Sequence, residues 1–218
     1  ALYLLERKKK YYDLSYKTGA THADSWVDIE GGFGTFFTYS GLAKRMLPNT
    51  PFWVDGDTQK LGANGTFIGT HILTPSEGVS VQINAYNFPV WGMLEKLSTS
   101  LLAGVPAIVK PATPGSYLTN AVFQDMIESG ILPEGAIQLV CGEPGNILDY
   151  VQDGDSVLFT GSASTGKKLK SLPSVSKNSV RFNMEADSLN CSILGLDAKP
   201  GTPEFDLFIK EVRSEMTT

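Results

Sequence analysis

Histidine is nearly missing from this sequence: 218 residues hold two, His22 and His71. The lack of a His/Cys cluster at ligand spacing argues against a zinc site, and little material remains for a Ser-His-Asp triad. Cysteine is equally scarce, with Cys141 and Cys191 alone. Two cysteines make no disulfide framework, and a reducing, cytoplasmic compartment fits. Both stand in apolar runs, where cysteine is typically a small buried hydrophobe and not a nucleophile. A basic excess is also absent: 18 Lys and Arg against 23 Asp and Glu give a formal net charge of -5. That balance argues against nucleic acid as a partner, and the short run Arg7, Lys8, Lys9, Lys10 reads as a solvated helix face. No apolar run approaches a membrane span. The start, ALYLLERKKK, puts its charge after the apolar residues and has no small-residue cleavage site, so it is a poor signal peptide.

What is present is ordinary globular composition, 42% hydrophobic and 19% charged, enough for one large domain or two small ones. The expected division is an N-terminal helical and crossover segment over 1–74 and a Rossmann-like domain over 75–218. Leu2, Leu4, Leu5, Tyr11, Tyr12 and Leu14 suit one helix from Ala1 to a stop at Gly19. A second helix is expected from Ala23 to Met46, where Gly31, Gly32 and Gly34 need close packing to be tolerated. Residues 48–74 read as loop and short strands. From Gly78 the pattern becomes regular. Strands are expected at Val79 to Ile83, Ala107 to Lys110, Ile137 to Gly142, Ser156 to Gly161, Ser179 to Met184 and Cys191 to Gly195, mostly with helices between them. EFDLFIKEVRSEM closes the chain as a helix. No capping residue precedes the first helix and the chain stops shortly after the last, which suggests a piece of a longer protein. Alternating strands and helices with short links mean an α/β fold, a doubly wound parallel sheet of Rossmann type.

Ligands of such sheets bind beyond the carboxyl ends of the strands, so the residues there are candidates. Asn87, between strand and helix, either caps the helix or offers its NH₂ to a developing oxyanion. Lys110 either is solvated or reaches a ribose hydroxyl or phosphate. In VLFTGSASTGKKL, Gly161, Gly166 and Lys167 have the spacing of a triphosphate loop, but Lys168 stands where that loop needs a Mg²⁺-binding hydroxyl. The stretch is a strand-to-helix turn whose Ser162 and backbone N–H groups face an anion, or else a plain tight turn. Glu185 is a candidate general base, a surface acid or an N-cap partner.

NAYNFPVWGMLEKLSTSLLAGVPAIVKPAT, FTGSASTG and MEADSLN together resemble the aldehyde dehydrogenase superfamily: a strand-end Asn followed by Phe-Pro, a Lys-Pro strand end, F-T-G-S with a second glycine, then a Glu motif. TGATHADSWVDIEGG and PGTPEFDLFIKEVRSEMT are similar to the branch of bacterial phenylacetate degradation, in which an aldehyde dehydrogenase domain is joined to a MaoC-like hydratase domain. The resemblance implies catalytic roles for Asn87, holding the oxyanion, and Glu185, activating water. It implies cofactor contacts from Ile83, Asn84, Lys110, Ala112, Thr113, Gly142, Gly161, Ser162 and Thr165. The acid that often follows the family's lysine by three residues is Thr113 here, so NADP is the expected cofactor, with NAD possible. The expected substrate is a small aldehyde, CoA-linked by branch, and the parent is expected to be a homo-oligomer. The family's nucleophilic cysteine segment is expected after Thr218, which would leave these 218 residues inactive alone. A non-catalytic nucleotide-binding or assembly module, and an aldehyde dehydrogenase without a hydratase partner, are the competing readings.

Overall fold

The protein is described from a computed structural model, which covers residues 1–188 and 190–217; Leu189 of the MEADSLN motif lies outside the described residues. The predicted first helix is broken into α1 (Leu2–Leu5) and α2 (Lys8–Ser15), followed by a 3₁₀ turn, Tyr16–Thr18, and a left-handed Gly19. The break has a local cause. The Arg7 guanidinium donates to the Tyr3 carbonyl at 2.9 Å and lies over the Tyr3 ring. It thus takes the acceptor that the Arg7 N–H would use in a continuous helix, and that N–H turns to the Leu4 carbonyl instead. The basic run is not simply solvated. Lys8, Lys9 and Lys10 pair with Glu30, Asp13 and the buried Asp125.

Helix α3 (His22–Met46) begins with a reciprocal cap between Thr21 and Asp24, which satisfies two N–H groups that a helix start leaves free. Two of its glycines, Gly31 and Gly32, are explained by packing on α4 (Pro89–Leu102). A Cβ on Gly31 would overlap the Trp91 ring, and one on Gly32 would come 3.1 Å from the Trp91 backbone; Gly34 has open space. The segment after α3 forms more strand than expected: β1 (Trp53–Lys60) and β2 (Ile68–Leu73) pair antiparallel as a separate two-stranded sheet.

The main sheet has five parallel strands, β3 (Ser80–Ile83), β4 (Ala107–Lys110), β5 (Ile137–Leu139), β6 (Ser156–Gly161) and β7 (Arg181–Ala186), in the spatial order β5-β4-β3-β6-β7. Helices cover both faces, giving the expected Rossmann-like fold. On one face α4 and α5 (Ser116–Glu128) form a continuous apolar cluster with β4 and with Leu4, Tyr11, Ile29 and Phe33 of the N-terminal helices. On the other face Val81, Val157 and Val180 pack with Leu169 and Leu172, around α6 (Ala163–Lys170), and with Val175 of α7 (Pro173–Lys177). Burying such a Val or Leu side chain contributes roughly 1.5–3 kcal/mol, so the two clusters hold the strand ends in place. The strand expected at Cys191 to Gly195 is absent. Asp187 turns the chain left-handed (φ 43°) just past β7, and 191–195 runs unpaired with Ile193 83% exposed. Helix α8 (Pro203–Thr217) follows as predicted, with no buried residue. Among the described residues, no helix is long and apolar enough to cross a membrane.

Candidate active site

The chain steps outward from β3 to β4 to β5, then returns to the other side of β3 for β6 and β7. The strand order therefore reverses between β3 and β6, and a crevice at that switch point is where open α/β sheets bind ligands. Beyond β3 the backbone crosses from Asn84 to Phe88 before α4. Asn84 is buried, and both polar atoms of its side chain lack a partner among the described residues. Asn87 is exposed and makes no hydrogen bond with described residues. It is not the cap of α4. The N-cap position is Phe88, held left-handed at φ 49° and ψ 56° with no side-chain cap of its own. Pro89 has no N–H, and the next two N–H groups, Val90 and Trp91, both donate to Asp28 Oδ1 at 3.0 and 2.8 Å. Burial pushes the Asp28 carboxyl up to about 6, against the downward pull of those two bonds.

Beyond β6, Ser162 caps α6, its Oγ accepting from the Thr165 N–H at 3.3 Å. A Cβ on Gly161 would come 2.6 Å from the Phe159 ring, and one on Gly166 would overlap Met184 Sδ. Glycine at both places lets the turn close and α6 lie down on β6 and β7. The Ala163 N–H, which opens α6, donates to Asp187 Oδ2 at 3.3 Å. On β7, Glu185 is exposed and accepts from the Thr160 hydroxyl at 3.1 Å.

Two cavities meet here. One, about 750 Å³, lies over the strand ends and is lined by Asn84, Asn87, Ala112, Gly161, Ser162, Thr165 and Glu185, together with Tyr86, Phe159, Thr160 and Asp187 among others. The other, about 390 Å³, lies on the α3–α4 side against Val27, Phe88, Trp91, Gly92 and Glu95. They share Ala85, Asn87, Thr160 and Glu185. Seven of the eleven residues singled out by sequence thus come together, and the two expected to be catalytic, Asn87 and Glu185, line both cavities. The other four line neither cavity. Ile83 packs into the apolar cluster under β3. Lys110 Nζ donates to the Pro111 carbonyl at 2.8 Å. Thr113 opens a 3₁₀ turn, and Gly142 turns left-handed (φ 86°) after β5. Cys141 and Cys191 are exposed and not buried as expected, because β5 stops at Leu139 and the strand at 191–195 does not form.

Sequence reasoning missed three features of this site: the Asp28 cap, the Thr160 hydroxyl on Glu185, and the Trp91 indole pinned by Nε1–H to Glu95 Oε2 at 3.0 Å. The first had a signal. Asp28 stands three and four residues before Gly31 and Gly32, on the helix face that must approach another element closely.

Residues 1–200 match the family described as "Aldehyde dehydrogenase family". The chain belongs to the aldehyde dehydrogenase family. It is 46% identical over 216 residues to the 3,4-dehydroadipyl-CoA semialdehyde dehydrogenase of Aromatoleum evansii, a match covering 98% of this chain and 42% of that protein. It is 27% identical over 194 residues to the 2,5-dioxopentanoate dehydrogenase of Saccharolobus solfataricus, covering 86% of this chain and 38% of that one. The chain therefore spans less than half the length of these relatives. A crystal structure of Staphylococcus aureus betaine aldehyde dehydrogenase in complex with NAD+ superposes at a TM-score of 0.74 and 24% identity, covering 95% of this chain and 39% of that one. This superposition supports the Rossmann-type fold.

Proposed function

We propose that these residues form the cofactor-binding part of an aldehyde dehydrogenase that oxidises a CoA-linked semialdehyde to the acid with NADP, or NAD in its place, in phenylacetate degradation. The observation that carries the reading is the convergence of two cavities on Asn87 and Glu185 at the switch point of the sheet. The larger cavity suits a dinucleotide: the orphaned amide of Asn84 stands in its floor, and the Ser162 and Thr165 hydroxyls stand in its wall. A bound nicotinamide supplies the hydride acceptor. The smaller cavity admits the aldehyde. There the Asn87 NH₂ donates to the oxygen that gains charge when a cysteine thiolate of the longer enzyme adds to the carbonyl. Glu185, oriented by Thr160, then takes a proton from the water that hydrolyses the thioester. By the resemblance, Thr113, which lines neither cavity, stands in place of an acid that would repel a 2′-phosphate, and its hydroxyl can donate a hydrogen bond. By the same resemblance, the longer enzyme carries a MaoC-like hydratase domain and assembles as a homo-oligomer.

Titration of the 218-residue chain with NADP and NAD tests the cofactor half of this reading. The expected result is NADP binding that weakens with Lys110→Ala and loses its preference over NAD with Thr113→Glu. A folded chain that binds neither nucleotide, with a full-length enzyme that also binds neither, overturns it. A non-catalytic assembly module, the half of the competing reading that takes no nucleotide, is favoured by one observation: Asp187 places a carboxylate on the Ala163 N–H, where a phosphate oxygen would sit. Asp187→Ala separates the two readings. If the cavity takes a dinucleotide, removing this competing anion strengthens binding; if it does not, the variant is silent.

A further inference from the structure

We infer that Asp28 is a positioning residue for the oxyanion-binding Asn87, acting through the start of α4; this rests on the proposed function. Asn87 sits one residue before the left-handed Phe88, and Phe88 cannot cap the helix it opens. The conformation of that turn must be imposed from outside. Asp28 imposes it. A single oxygen, Oδ1, accepts from Val90 and Trp91, the first two N–H groups that α4 offers. Asp28 is 5% exposed, and no basic side chain pairs with it among the described residues.

The surroundings allow little slack. One turn along α3, Gly32 leaves just enough room for the Trp91 backbone, and Gly31 for its ring. The two helices are thus locked together within a few residues of Asn87. A carboxylate that accepts free N–H groups of α4 can sit only at its start. This one sits at the end that carries the oxyanion donor, and Val27 beside it lines the aldehyde-side cavity. Displacing the start of α4 by a fraction of an ångström moves the Asn87 amide while leaving the Ser162 turn, on the far side of the crevice, where it is. Oxyanion stabilisation depends on such placement.

The test uses the full-length enzyme with Asp28→Ala, Asp28→Asn, Asn87→Ala and the double variant Asp28→Ala/Asn87→Ala. Asp28→Ala is expected to lower kcat about 10-fold or more, short of the roughly 100-fold loss typical of removing an oxyanion donor, with NADP affinity unchanged. Asp28→Asn, whose amide oxygen can accept the same two N–H groups, keeps kcat within about three-fold. In the double variant kcat is no lower than in Asn87→Ala alone, because both changes remove the same interaction. A general structural role would instead multiply the two losses. Should Asp28→Ala fail to fold, Asp28→Glu gives the same reading: the cap is kept but pushed out by one methylene, and kcat falls at unchanged NADP affinity. Wild-type kcat in Asp28→Ala, or in Asp28→Glu where that variant replaces it, or multiplicative losses in the double variant, overturn the inference while leaving the proposed function standing. A wild-type enzyme that oxidises no aldehyde overturns both.

Discussion

Two buried polar side chains carry opposite costs, and each gives a test. Asn84 has both side-chain polar atoms buried and unpartnered, and an unmade buried hydrogen bond costs about 1–3 kcal/mol. Asn84→Leu should therefore raise the melting temperature of the nucleotide-free chain, by a few degrees for about 1 kcal/mol. It should also shrink the stabilisation that added NADP produces; differential scanning fluorimetry with and without NADP reads both effects. Asp28 is costly in another way. Its folded pKa of about 6 lies above the ordinary unfolded value of about 3.9, so folding favours the neutral form. Its contribution is full below about pH 4 and is lost as pH rises through 6. Asp28→Asn does not titrate. Urea denaturation should show the variant gaining about 1.5 kcal/mol on the wild type between pH 5 and pH 8. A difference that stays flat across that range would mean the carboxyl is not raised.

At the scale of elements, the α3–α4 contact separates glycines that serve from glycines that do not. Gly34→Ala meets open space and should stabilise by up to about 1 kcal/mol, the ordinary helix preference of Ala over Gly. Gly32→Ala meets the Trp91 backbone at 3.1 Å, and that backbone is held by Asp28. Nothing there yields easily, and a loss of about 1–3 kcal/mol is expected from overpacking. Thermal unfolding of the two variants should move in opposite directions. This contact also marks how far the sequence could be read. Alternation of apolar runs and glycines was enough to find all five strands of the sheet and the helices α4, α5 and α6, though not the short α7, because that signal is local. It overcalled a strand at 191–195, where an apolar run lacks a partner strand. It also missed the helix break at Arg7, which depends on one guanidinium choosing a carbonyl. The strand-end rule singled out Asn87, Ser162 and Glu185, which line one cavity, since topology alone brings strand ends together. Asp28 was not legible, because it reaches the site from an element 62 residues away, and nothing local records that distance.

The whole molecule has two faces that its own core does not cover. The β1–β2 hairpin pairs with no strand of the main sheet, and it leaves Phe67, Ile68 and Ile72 more than half exposed. Helix α8 buries none of its residues, and Leu207 and Ile209 stand about half exposed. Exposed apolar side chains on one element offer a surface for association, and an uncovered strand edge is a template for pairing. The chain spans less than half the length of these relatives, and these faces stand open in its 218 residues. The 218-residue chain alone should therefore self-associate as its concentration rises, and sedimentation velocity measures this directly. Ile68 and Ile72 lie on one face of β2, because side chains alternate along a strand. Replacing both with Lys puts like charges on that face and should shift the chain toward monomer if the hairpin is the associating surface. The larger cavity lies beyond the strand ends of the main sheet, with which the hairpin does not pair, so NADP binding by the double variant should match that of the wild type. Association that survives the Lys pair would point to α8 instead, and Leu207→Lys would then be the variant that dissolves it.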